Sequence, residues 1–305
     1  MCMMFGQLTN RESLSDLMIC LWAQQQKFYH LGMGKGISKA NLAKANERRD
    51  YRIYESFAAV LIEQARVLCL SESAFDLKID SPVYAIDATV IDLCLSVFWW
   101  AKFRKHKAAV KLRTLFDIKT NIPTFLHVTS GAVHEVNFLD LISFEAGGFY
   151  IMDKGFIDFE RLYAIHQCDA YFVTRAKENF QFVRLYSHAA DKHKGVRCDQ
   201  TVRLKNHPVA LIFPDRIRRI KYYDAGTQKQ FVFMTNNFEL SATDIAQLYK
   251  YRWKIELFFK WIKQHLKIKS FWGHSNNAVK TQIYIAIITY LLVAIIKHKM
   301  KLQQS

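Results

Sequence analysis

Tyr249, Arg252, Glu256 and Lys263 follow one another at spacings of three, four and seven, all helical repeats. At roughly 100° per residue they share an arc of about 60° on one helix face. The run from Thr243 to Leu266 has no Gly or Pro, and Leu248, Ile255, Phe259, Ile262 and Leu266 form an adjacent apolar stripe. That stripe would pack the helix on a core and present a phenol, a guanidinium, a carboxylate and an ammonium side by side. A lone carboxylate among cations suits a site that handles both a metal ion and phosphates. On helix geometry alone, a surface helix with i,i+4 ion pairs fits the same spacing.

Two aspartates share a context that could complete such a site. Val83-Tyr84-Ala85-Ile86 ends at Asp87, and Phe149-Tyr150-Ile151-Met152 ends at Asp153. If these strand-like runs are neighbours in one sheet, both carboxylates emerge together; taken singly, either could cap a following turn. With Glu256 added, the cluster needs cations. Magnesium fits, because hard oxygen ligands and open water positions suit it, and manganese can substitute. Two ions roughly 4 Å apart would activate an attacking hydroxyl and stabilise the leaving oxygen of an in-line phosphoryl displacement. Tyr249, Arg252 and Lys263 would then hold flanking phosphates.

The whole chain agrees with a polyanionic substrate. Its 305 residues are enough for a full hydrophobic core, and 43 Lys and Arg against 27 Asp and Glu give a formal charge of +16. Nucleic acid is the first partner this excess implies, and an anionic membrane the second. The six cysteines show no CxxC pair and no zinc spacing, as expected of free thiols in a reducing cytoplasm. No basic segment with an apolar core and cleavage site opens the chain, so a signal peptide is not expected. The fourteen residues Ile283–Ile296 are almost wholly apolar. A bilayer span needs about 20, so a buried core helix is the expectation.

The elements that must position these groups can be sketched in order. Arg11–Gln24 is amphipathic, Gly32, Gly34 and Gly36 mark a turn, Ser38 could cap a helix over Lys39–Ala45, and a longer helix spans about Tyr51–Leu70. This pattern could be a helix-turn-helix unit with Lys39, Asn41, Lys44 and Arg48 facing DNA. Asp80-Ser81-Pro82 is a natural boundary. Strands are expected at Val110–Ile118 and Thr124–Thr129, a helix at Asn137–Phe144, a helix at Ile157–Gln167 and a strand at Ala170–Thr174. From about Glu178 to Asn237, short β-type runs (Phe180–Tyr186, Val209–Phe213, Phe231–Thr235) alternate with polar turns. Arg216, Arg218, Arg219 and Lys221 make this stretch locally basic. Trp99 and Trp100 beside Lys102, Arg104 and Lys105 could stack on bases or pack under a loop. His127 and His134 are expected to be structural.

At this point the sequence resembles a known family. Tyr249-x2-Arg252-x3-Glu256-x6-Lys263 fits every position of the signature that marks the Asp-Asp-Glu transposases of insertion-sequence family four. VYAIDAT around Asp87 is similar to the family's first-aspartate segment. IMDKGF around Asp153 is similar to the second, often Asp-Arg-Gly-Tyr, with Lys154 in place of the arginine. GQLTNRESL and FFKWIKQHLKIKSFWG extend the likeness over most of the chain.

The resemblance implies an α/β fold: a ribonuclease H-like catalytic core over residues 79–305 with a β-rich insertion at about 178–238. A small helical DNA-binding region, residues 1–78, would precede it. It also implies cut-and-paste transposition of an insertion sequence, catalysed by Asp87, Asp153 and Glu256 with two magnesium ions. The DNA contacts it implies are Tyr249, Arg252 and Lys263, with Lys154 beside the second aspartate; Arg175 and Lys177 lie just past a core strand and are expected either at the DNA backbone or in solvent. The implied partners are double-stranded DNA, as element ends and target, and a second copy of the chain in the synaptic complex, with no membrane and a nucleoid-associated location in a bacterial cytoplasm. Relatives of this kind usually extend further at both ends, and some stack a flipped base on an insertion tryptophan that this chain lacks. Two alternatives follow: a shortened derivative that binds DNA without cutting, and a related nuclease that cannot join strands.

Overall fold

A computed structural model describes residues 1–32, 36–70, 75–105, 107–205, 207–268 and 270–302. Gly34, and Lys269 within the FFKWIKQHLKIKSFWG run, therefore lie outside the described residues. Five helices come first: α1 (Cys2–Leu8), α2 (Leu14–Ala23), α3 (Gln25–His30), α4 (Lys39–Arg48) and α5 (Arg52–Cys69). Ser13 and Ser38 begin α2 and α4, their hydroxyls accepting from the backbone N–H of Asp16 and Asn41. A serine there satisfies one of the orphan donors of a helix N-terminus. Gly32 and Gly36 both have positive φ, 72° and 103°, in the connection between α3 and α4.

Ten strands follow with helices between them. They are β1 (Val83–Leu93), β2 (Lys102–Arg104), β3 (Lys107–Asp117), β4 (Ile122–Ser130), β5 (Phe149–Met152), β6 (Tyr171–Arg175), β7 (Phe182–His188), β8 (Val196–Leu204), β9 (Ile217–Asp224) and β10 (Lys229–Thr235). The helices are α6 (Phe159–Gln167), α7 (His207–Ile212), α8 (Ala242–Tyr251), α9 (Trp253–His265) and α10 (Asn276–Lys299). All ten strands join one sheet in the order β2-β3-β1-β5-β6-β10-β9-β8-β7, with β4 also on β3. β1, β5 and β6 run parallel, while β3 and β4 on one flank and β10 to β7 on the other run antiparallel. The result is a mixed α/β architecture built on one large sheet.

Alternation along the strands gives each face of the sheet its own core. Val83, Ala85 and Ile151 face a cluster that includes Leu248, Ile255, Phe259, Ile262 and Ile287, from α8, α9 and α10. Tyr84, Ile86 and Met152 face the other way, towards Phe138, Leu162 and Phe213. The whole apolar stripe expected beside Glu256 is buried in the first cluster. α10 is long and apolar enough to cross a membrane, but two thirds of its most apolar window is buried within the protein. It packs on α5 through residues such as Ile283, Ile287 and Leu291, so it serves as a core helix. A third cluster joins Leu17, Met18 and Leu21 of α2 to Trp272 and Ile285, which ties the first helices to the last.

Several expectations are corrected. Val209–Phe213, read as a strand, lies largely in helix α7, where Pro208 sits in the first turn and costs no intrahelical hydrogen bond. Asn137–Phe144 is a 3-10 helix over Glu135–Leu141. The stretch around Arg216–Lys221 is strand β9, and not all of its cations face solvent. Arg218 is 6% exposed and makes a two-point contact with Asp199 of β8, Nε to Oδ1 at 2.9 Å and Nη2 to Oδ2 at 2.6 Å. Its Nη1 also donates to the carbonyl of Leu240, just before α8, at 2.5 Å. Breaking one side of such a buried pair typically costs about 3–5 kcal/mol, whereas an exposed charge nearby is worth within about 0.5. Asp199→Ala is therefore expected to lower unfolding free energy in urea by several kcal/mol, with Arg216→Ala close to neutral. Similar small effects from both would show that Arg218 does not depend on Asp199.

Candidate active site

Strands β1 and β5 pair in parallel from Val83 opposite Phe149 to Ile86 opposite Met152. The next residue on each chain is an aspartate, Asp87 and Asp153, and alternation turns both towards the face covered by α8 and α9. Asp153 closes β5 as expected. Asp87 does not end its strand: β1 continues to Leu93 alongside β3, with Asp87 opposite Thr114. What ends just before Asp87 is the pairing with β5, and the two carboxylates leave the sheet on the same face at that point.

The helix expected over Thr243–Leu266 is broken. α8 stops at Tyr251 and α9 starts at Trp253, with Arg252 between them in αR geometry. Arg252 N–H bonds the carbonyl of Tyr249 and Ile255 N–H bonds that of Arg252, both i→i+3 contacts at 3.2 Å. No Gly or Pro causes the break; it lies where the chain is pinned on both sides by the aspartates. Tyr249 donates its hydroxyl to Asp153 Oδ1 at 3.1 Å. Arg252 Nη1 donates to Asp87 Oδ2 at 2.6 Å, and its Nη2 pairs with Glu256 one turn later. Arg175, the last residue of β6, donates to Asp153 Oδ1 at 2.7 Å. Both guanidinium groups lie against the Tyr249 ring, at 5.8 Å for Arg175 and 5.7 Å for Arg252. Lys263 reaches the carbonyl of Val90 on β1 at 2.9 Å. Tyr249, Arg252 and Lys263 thus each contact β1 or an aspartate, and Glu256 joins them through Arg252.

Burial dominates the electrostatics. It pushes the Asp87 carboxyl up to about 6; Arg252 opposes this, and the neighbouring Glu256 and Asp153 add to it. Burial acts on Asp153 in the same direction, but the hydrogen bond and charge of Arg175 win and hold it below the usual carboxylate range. Burial also raises the Tyr249 phenol to about 12, so it stays a hydrogen-bond donor at neutral pH. The donor set is oxygen only, which suits a hard divalent cation. An under-compensated carboxylate at Asp87 fits added positive charge. The Thr114 hydroxyl opposite Asp87 and the ε-NH groups of Arg175 and Arg252 are buried without a hydrogen-bond partner, polar groups that bound water or phosphate could satisfy. Among the described residues, no three acidic, His or Cys side chains already converge closely enough to hold an ion. Arg252 lies between Asp87 and Glu256, and Arg175 flanks Asp153.

The remaining sequence-predicted residues fall into three groups. Lys154, Arg175 and Lys177 line one groove of about 690 Å³, together with Arg219, Lys229 and aromatic rings such as Phe182. Lys39, Asn41, Lys44 and Arg48 are exposed on α4, away from the carboxylates in the chain. Trp99 is 77% exposed, whereas Trp100 donates its ring N–H to the carbonyl of His274 at 2.8 Å. Thr114 carried a weak sequence signal, as the one hydroxyl at the alternate positions Val110, Leu112, Thr114 and Phe116 of β3.

The Asp87 value makes a stability prediction. A folded-state pKa above the unfolded one means stability is present at low pH and lost as pH rises through about 6. Asp87→Asn removes that loss. In denaturant titrations it should equal the parent protein near about pH 4 and exceed it by roughly 2–3 kcal/mol above about pH 7. A difference that stays flat across this range would mean Asp87 is not a buried, under-compensated carboxylate.

Comparison with known proteins adds independent support. Residues 78–292 match the transposase DDE domain family, and residues 1–34 match a domain of unknown function, DUF4372. A Sinorhizobium fredii protein named as a transposase is 34% identical over 259 residues, covering 83% of this chain and 70% of the relative. A Geobacillus stearothermophilus protein named as a transposase for insertion sequence element IS5377 is 25% identical over 293 residues, covering 93% and 76%. A Synechocystis protein named for insertion sequence element IS4SA is 24% identical over 273 residues, covering 86% and 73%. With the family match extending over most of the chain, and with Arg252 bridging Asp87 to Glu256 while Tyr249 and Arg175 hold Asp153, the chain belongs to the DDE transposase family.

Proposed function

We propose that Asp87, Asp153 and Glu256 are the catalytic carboxylates of this DNA transposase and that they hold two magnesium ions, for which manganese can substitute. The observation that carries the reading is the bridge from Asp87 through Arg252 to Glu256 at the end of the β1–β5 pair. A residue 165 positions away in sequence is drawn to the first aspartate, and the same helical segment sends Tyr249 to the second. Bound there, the metal supplies a polarised oxygen nucleophile and charge to offset the leaving oxygen.

The chain's own groups do the rest. Tyr249 and Arg175 fix the Asp153 carboxylate. Arg252 and Lys263 carry positive charge to the phosphates flanking the reacting bond, and the buried setting strengthens it. Lys154, Arg175 and Lys177 continue that charge along a groove into which a DNA backbone fits. In the reaction, water attacks a phosphodiester at the element end and the departing 3′-oxygen becomes a free hydroxyl; once the second strand is also cut, the element's 3′-hydroxyl attacks a phosphodiester of target DNA, whose own 3′-oxygen leaves. Five neighbouring strands, β4-β3-β1-β5-β6, with the parallel trio at one side, support a ribonuclease H-like core. The strands β7 to β10 then form its β-rich insertion. The exposed cations of α4 support DNA binding by the first helices. Handling two element ends requires a second copy of the chain in the synaptic complex, acting on the nucleoid.

The test is magnesium-dependent cleavage and joining of labelled DNA carrying the element's ends, with Glu256→Gln alongside. Loss of a carboxylate that holds the metal is expected to reduce both steps by at least about 10²-fold while DNA binding persists. Equal activity in the two proteins would remove Glu256 from the site. Tyr249→Phe, which keeps the ring and deletes one hydrogen bond, should cost less, about 1 kcal/mol of barrier or roughly fivefold in kcat.

A further inference from the structure

The face of β3 turned away from α8 and α9 carries two cations in a place that the proposed chemistry does not use. Lys111 and Arg113 stand two residues apart, hence on the same face, and are 8% and 1% exposed. Arg113 Nη1 bonds the Thr129 hydroxyl of β4, and its Nη2 donates to the carbonyls of Val133 and His134 at 2.5 and 3.2 Å. The two arginine branches therefore tie down the connection that follows β4. Lys111 Nζ pairs with Glu135 Oε1 at 3.2 Å. The His134 ring accepts from Val136 N–H at 3.4 Å and starts the 3-10 helix Glu135–Leu141.

The other oxygen of Glu135 lies over the turn that follows Asp153. A Cβ placed on Gly155 would stand 3.3 Å from Glu135 Oε2. That turn, Lys154–Phe156, is closed by Phe156 N–H on the Asp153 carbonyl at 3.0 Å. A carboxylate is thus held by a buried lysine on one side and rests against the backbone two residues from Asp153 on the other. A side chain at 155 would press on this carboxylate from the Asp153 side. Glu135 is also the one carboxylate whose charge opposes the effect of burial on Arg113. Its removal would take from Lys111 its carboxylate partner and from Arg113 the charge that opposes its burial.

We propose that Glu135 is a positioning residue, a strut seated on Lys111, with Arg113 holding the backbone just before it, that fixes the Asp153 turn and with it the place of the Asp153 carboxylate. The proposal rests on the reading of Asp153 as a catalytic carboxylate. Outer partners of metal-holding groups typically alter metal affinity or activity by about 10–100-fold. Glu135→Gln keeps the shape and removes the charge. It should weaken Mn²⁺ binding, read by electron paramagnetic resonance, and lower kcat for strand cleavage within that range, while KM for DNA stays near the parent value. Lys111→Met should act in the same direction, and the double variant should be no worse than Glu135→Gln alone. Gly155→Ala approaches the strut from the other side and should reproduce the kcat loss even if Glu135→Gln folds poorly, which thermal melting would show.

A folded Glu135→Gln with parent-like kcat and Mn²⁺ affinity overturns the proposal, as do additive losses in the double variant. Asp153→Asn is measured in parallel. If it abolishes Mn²⁺ binding while Glu135→Gln changes nothing, the strut alone is wrong. If Asp153→Asn itself keeps Mn²⁺ binding and cleavage, the catalytic reading fails and the strut falls with it.

Discussion

Like charges brought together in a protein interior need something between them. Asp87 and Glu256 are partly buried carboxylates drawn towards the same point, and Arg252 is the group that makes their approach tolerable in the folded chain. Its guanidinium suits the task because its planar fork serves two carboxylates at once, which a lysine ammonium would do with less geometric control. Much of the remaining architecture follows from that contact. α8 and α9 must meet at residue 252, their apolar stripe must be buried, and β1 must offer Asp87 on the side the helices cover.

The sheet acts as the ruler for this arrangement. Parallel pairing of β1 with β5 fixes the two aspartates at neighbouring heights, and a one-residue slip would send one of them to the opposite face. Each face then has a distinct duty. One face carries the carboxylates and the long helices. The other carries Lys111 and Arg113, with Glu135 reaching from Lys111 to the turn that follows Asp153.

Much of the site was legible in the sequence because it depends on local rules. Spacings of three, four and seven survive as a common location for Tyr249, Arg252, Glu256 and Lys263, and apolar runs ending in acids marked both aspartates. The break at Arg252 was not legible, since no Gly or Pro marks it and its cause is a pair of contacts to strands far away in the chain. β8 and β9 escaped because Asp199 and Arg218 occupy inward positions and spoil the apolar alternation; only their mutual neutralisation makes those positions acceptable. Val209–Phe213 shows the opposite ambiguity: five apolar residues without alternation satisfy helix and strand equally. Glu135 carried no sequence signal, because its importance comes from what lies on either side of it in space.

The pairing of β10 with β6 has a consequence for the order in which the molecule can assemble. The β7–β10 segment is spliced into the sheet, so α8 and α9 leave the sheet only after that whole meander has been made. A ribosome that has finished both aspartates still has about a hundred residues to add before Arg252 and Glu256 exist. Until then Asp87 has no Arg252 and Asp153 no Tyr249, and long-range closure of this kind is slow compared with local helix formation. An interrupted polypeptide therefore carries the first two acids of the cluster but no means of completing it. Synthesis to near the C-terminus becomes a built-in checkpoint on a chemistry that breaks DNA.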